Sequence, residues 1–80
     1  MKFIIKHEMK GRMRVRLSQK RMTYEQADIL QYYLLCNESV KLAKVYDRTC
    51  DAVINYTGDR EDVIRLLQEF HYQTVEVPAD

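Results

Sequence analysis

The chain is 80 residues long with 13 basic and 12 acidic side chains, a net charge of +1, 46% hydrophobic and 31% charged residues. A chain of 9.6 kDa buries roughly 60–65% of its unfolded surface, enough for one two-layer core and too little for a deep catalytic cleft. This composition excludes a disordered tail, and no apolar run approaches the roughly 20 residues that span a bilayer. "MKFIIKHEMKGR" has too short an apolar stretch for a signal peptide, and two cysteines, Cys36 and Cys50, are too few for a secreted disulfide framework. The expectation is a single domain over residues 1–80 with a cytoplasmic address.

Charge is distributed unevenly. Residues 1–22 hold eight basic groups against Glu8 alone, a surplus of seven, while residues 23–80 hold five basic and eleven acidic groups, a deficit of six. A basic first quarter and an acidic remainder either compensate one another within the fold or leave one half to face a charged partner.

The chain opens with "KFIIK" and then "RMRVRL". In the second run Met13, Val15 and Leu17 alternate with Arg12, Arg14 and Arg16, the period of a half-buried strand. Lys10-Gly11 between the runs marks a turn or a bulge, with one long bent strand as the alternative. Thr23 then caps a helix, and Gln26 three residues later completes a Thr-x-x-Gln capping box. Met22 and Ala27 are spaced for a hydrophobic staple; Ala27, Leu30 and Leu34, widened by Tyr33, form the buried stripe, and residues 37–39 end the helix.

Residues 40–57 read as a hairpin. Ala43 and Val45 face the core from its first strand, Ala52, Ile54 and Tyr56 from its second, and residues 47–51 turn between them. Asp59 is placed to cap a second helix with Val63, Leu66, Leu67 and Phe70 as its apolar stripe. A last strand, "QTVEV", precedes Pro78. The order strand–helix–strand–strand–helix–strand, with one apolar face per element, is satisfied by an α+β ferredoxin-like βαββαβ sandwich: a four-stranded antiparallel sheet with both helices on one face.

The inventory of reactive residues is thin. There is no Ser-His-acid set, no Gly-rich phosphate loop and no His-Glu-x-x-His helix, so no enzyme activity and no cofactor are expected. Two thiolates at a loop–helix junction would bind soft metal, but Tyr24 and Ala27 stand at the matching positions, or Thr23 and Gln26 if the register slips by one. Cys36, late in the first helix, reads as a buried thiol; Cys50, at a turn position suited to glycine or asparagine, reads as exposed and reactive. His7, Met9 and Met13 supply soft atoms for a copper(I) site, although alternation already assigns Met13 to the core.

Arg12, Arg14 and Arg16 recur about 6.6 Å apart on one sheet face. Either acids on neighbouring strands, Asp47 or Glu76, answer them, or they contact an acidic partner, a phosphate-bearing ligand or nucleic acid. "KGRMRVRL" begins like the signature strand of a sheet-faced RNA reader, but Arg12, Arg14 and Leu17 stand where its stacking aromatics belong, and the segment is a first rather than a third strand.

The element order, "MT" entering the first helix, Val40 after it and "VYDRTCDAVINYTGDREDVIRLLQEFHY" together resemble the heavy-metal-associated domain, with "GRMRVRL" and the Tyr-Asp-x-Thr-x-Asp-Ala hairpin the most telling parts. The similarity spans nearly the whole chain and is closest to the cysteine-less branch at the amino terminus of bacterial heavy-metal-translocating P-type ATPases. Ordinary members of that family pass soft metal ions between paired cysteines. The resemblance therefore implies the frame without the metal site: a cytoplasmic accessory or regulatory domain docking on the cytosolic domains of a metal-transporting ATPase, in the same polypeptide or beside it. Metal binding through His7, Met9 and Cys36 or Cys50, and binding of nucleic acid or an acidic partner through Arg12, Arg14 and Arg16, are the alternatives.

Overall fold

The computed structural model describes residues 1–72. Its elements are β1 (Phe3–Met9), β2 (Arg12–Leu17), α1 (Tyr24–Leu35), β3 (Val40–Tyr46), β4 (Asp51–Tyr56) and α2 (Arg60–Gln68). The four strands form one antiparallel sheet in the order β1-β2-β4-β3. Both helices pack on one of its faces, giving the ferredoxin-like α+β arrangement. β2, α1 and β3 make a split βαβ unit with β4 lying between its two strands.

The first two runs are separate strands joined by Lys10-Gly11, so the long bent strand is not formed. Gly11 takes φ +79, and a Cβ there would meet the Tyr56 carbonyl oxygen at 3.4 Å. The turn thus needs a residue free in the left-handed region. β1 thereby occupies one edge of the sheet. The expected last strand, residues 73–77, lies outside the described residues.

The core follows the alternation. Met13, Val15 and Leu17 of β2, Ala43 of β3, and Ala52, Ile54 and Tyr56 of β4 meet Ala27, Leu30 and Leu34 of α1 and Val63 and Leu67 of α2. Phe70, just past α2, is fully buried and packs against Tyr33 in a tilted contact and Tyr72 edge-on, each with a centroid separation of 4.8 Å. Tyr33 also donates its hydroxyl to the Leu66 carbonyl at 2.6 Å, tying α1 to α2. Burial and a nearby Glu69 raise the Tyr33 hydroxyl pKa, so this donor keeps its proton.

Two local expectations need correction. Asp51 belongs to β4, paired with Tyr46, rather than to the turn. Asp59 takes the cap position of α2 with extended backbone, yet its carboxylate makes no capping hydrogen bond. Glu61 and Asp62 instead place negative charge in the first turn, where the helix dipole favours it.

Candidate functional site

Two regions were candidates: the loop entering α1, and the sheet face that the helices leave uncovered.

At the loop, Thr23 is the cap residue and both halves of the capping box are made. The Gln26 amide donates to Thr23 Oγ1 at 3.0 Å, and the Thr23 amide donates to Gln26 Oε1 at 3.1 Å. Gln19 extends this network by donating to the Arg21 carbonyl at 2.6 Å and to Gln26 Oε1 at 3.3 Å, while its own Oε1 accepts from the Tyr72 hydroxyl at 2.7 Å. Met22 and Ala27 are buried in the core on either side of the cap. Of the positions that would carry sulfur, Ala27 is buried and Tyr24 is 77% exposed. The loop is therefore held by side-chain amides and hydroxyls.

The cysteines reverse their expected environments. Cys36 caps the end of α1 and is exposed, because it follows Leu35 beyond the buried stripe. Cys50 is buried at 4% exposure. Its turn position does need the left-handed region, with φ 57, and this turns the thiol inward, where it lies 3.9 Å from the Asp47 carbonyl. His7 and Met9 share a concavity of about 400 Å³ with Arg12, Arg14 and Val53, into which neither cysteine enters. Two guanidinium groups beside two soft donors oppose a cation there. Among the described residues no group of three or more His, Cys, Asp and Glu side chains lies together.

The uncovered sheet face is set by register. Three cross-strand rows run Ile4–Arg16–Asp51–Tyr46, His7–Arg14–Val53–Lys44 and Met9–Arg12–Asn55–Leu42. Among the described residues four cations, Arg12, Arg14, Arg16 and Lys44, thus stand against one carboxylate in these rows. That carboxylate, Asp51, is 2% exposed. It accepts from Arg16 Nε at 2.8 Å and from Arg14 Nε at 3.2 Å, while both arginines remain nearly half exposed. The Arg16 hydrogen bond, against the opposing effect of burial and with help from Arg14, lowers the Asp51 pKa; Asp51 in turn raises that of Arg16. The acid that answers the arginines is therefore Asp51 and not Asp47; Glu76 lies outside the described residues. Tyr46 lies under both Arg14 and Lys44, 5.7 and 5.5 Å from their charged groups.

Arg12 differs from its neighbours: among the described residues it has no carboxylate partner. Beside it in the same row, Asn55 carries a side-chain carbonyl oxygen buried without a hydrogen-bond donor. Met9 and Leu42, at the ends of that row, are 55% and 48% exposed. The two sheet edges are less inviting. β1 bulges at Lys6 and β3 at Lys41, and a bulge with a lysine on an edge strand obstructs the addition of a further strand.

Neither central strand, β2 or β4, presents an aromatic side chain on this face; Tyr46 at the β3 edge is exposed there, with Arg14 and Lys44 over its ring. No helix among the described residues is long and apolar enough to cross a membrane. Fold and face together define a ferredoxin-like α+β domain with an open, cationic sheet surface. No protein-family model, curated protein or solved structure matches the chain.

Lys44, Tyr46, Asp51, Val53 and Asn55 completed the face without having been singled out in the sequence. Alternation against Ala43, Val45, Ala52 and Ile54 carried that signal. What it lacked was the strand order that sets β4 beside β2.

Proposed function

We propose that this chain is a non-catalytic docking module whose open sheet face binds an acidic protein surface. The observation that carries the reading is the surplus of positive charge on that face, pinned in place by the buried Asp51. Arginine suits such contacts because its planar fork bonds carboxylates in pairs and is weakly hydrated. The sequence resemblance supplies the setting: a cytoplasmic accessory domain of a bacterial heavy-metal-translocating P-type ATPase, of the cysteine-less heavy-metal-associated branch. The acidic surface then belongs to the transporter's cytosolic domains, and docking there regulates the transport cycle. The amide-held loop at Thr23 supports a frame that stands without a metal.

The test is a pull-down and titration of the chain against the isolated cytosolic domains of such a transporter at two ionic strengths. Binding that weakens as salt rises from 50 to 200 mM supports the reading (about these concentrations separate screened from unscreened charge). A salt-independent affinity, or one-to-one submicromolar capture of copper(I), zinc or cadmium in a competitive chelator titration, contradicts it.

A further inference from the structure

The four cations of the open face are not equivalent, and the difference names the partner's chemistry. Arg14 and Arg16 are engaged by Asp51, and Lys44 leans on Tyr46. Among the described residues Arg12 alone combines a charge without a counter-ion, a row neighbour with an unpaired buried carbonyl, and exposed apolar side chains at both ends of its row.

Each of those features asks for something different. A guanidinium with free donors takes a carboxylate, most strongly in a two-bond fork. A buried amide oxygen without a donor is costly, and a backbone N–H of an incoming chain offsets that cost. Met9 and Leu42 offer apolar surface, and methionine adapts to varied partners. Val53 floors the adjoining concavity. A free phosphate satisfies the first demand only. Nucleic acid satisfies the first, but the exposed aromatic on the face, Tyr46, lies in another row with Arg14 and Lys44 over its ring, and nothing in nucleic acid answers the apolar Met9 and Leu42. A peptide carrying an acidic residue next to a branched apolar one satisfies all three.

We propose that the row Met9–Arg12–Asn55–Leu42 is a subsite for an acidic–apolar peptide segment of the partner. It seats one carboxylate on Arg12, one peptide N–H on Asn55 and apolar side chains on Met9 and Leu42. The Asn55 oxygen is buried in the unbound face, so seating a peptide N–H on it requires the side chains that cover it to move. The subsite rests on the docking role proposed above and specifies what is docked.

The experiment measures fluorescence anisotropy of a labelled peptide of alternating aspartate and leucine, with the full chain and its variants. Wild type binds, and Arg12→Ala weakens binding about tenfold or more, as expected for an arginine at the centre of a contact. Asn55→Ala and Leu42→Ser each weaken it about threefold to tenfold. Arg65→Ala, which removes an exposed cation in the last turn of α2 and none from the sheet face, stays within about twofold of wild type. A peptide with asparagine for aspartate, or serine for leucine, loses binding.

The subsite is overturned if the peptide binds and Arg12→Ala binds equally well, or if millimolar inorganic phosphate displaces it and the serine peptide still binds. Tighter binding of single-stranded uridine RNA than of the peptide overturns a protein partner altogether. If the peptide fails to bind wild type while the transporter domains do bind, the subsite falls and the docking role stands. If neither binds, both fall.

Discussion

The loop at residues 19–27 and the open sheet face share a problem and solve it differently. Each gathers polar groups that water or a ligand must satisfy. In the loop they satisfy one another: Thr23 with Gln26, Gln26 with Gln19, Gln19 with Tyr72. On the face, Asp51 answers two arginines, while among the described residues Arg12 and the Asn55 carbonyl are left over. A closed set of hydrogen bonds holds structure; an open set leaves capacity for binding. The contrast leaves the unsatisfied polar groups of the described residues on the sheet face and away from the helix entrance.

The largest expected effect breaks the face from beneath. Asp51→Ala removes a buried carboxylate that accepts charged hydrogen bonds from two arginines, and should cost about 2–3 kcal/mol, read as a lower urea midpoint. The companion pH experiment has a defined sign. The folded pKa of Asp51 lies below its ordinary value of 3.8, so its stabilisation is complete above that value and disappears as pH falls through the depressed one. Wild type should therefore lose stability below about pH 4, and Asp51→Asn should lose less over the same range.

A smaller effect is expected at the loop. Thr23→Ala removes the cap hydroxyl and should cost about 1 kcal/mol, measured by chemical denaturation. If the loop were held chiefly by a ligand, the same substitution would leave the ligand-free chain unchanged. Smaller still is the effect of Cys36→Ser, within about 0.5 kcal/mol, since the side chain is exposed. Thiol labelling sharpens this: one thiol should react in the folded chain and the second, Cys50, only on unfolding.

These outcomes bear on how far the sequence could be read. The alternation of Met13, Val15 and Leu17, the Thr-x-x-Gln box and the 3.6-residue stripes encode strands, caps and helix faces in local spacing, and the structure has them. The identity of the acid beneath the arginines is a matter of strand order. Asp51 meets Arg14 and Arg16 only because β4 lies beside β2, a pairing 35 and 37 residues apart that no local period reports. The cysteines show a second gap. Cys50 was legible as a left-handed turn residue, but which way that backbone aims its thiol depends on the core packed behind it.

The most direct test of the contrast is a single two-dimensional amide NMR titration of the full chain with the aspartate–leucine peptide. The account predicts shift changes concentrated at Met9, Arg12, Leu42, Val53 and Asn55, with the amides of Thr23 and Gln26 unmoved. Changes centred on residues 19–27, with the sheet face silent, would contradict it.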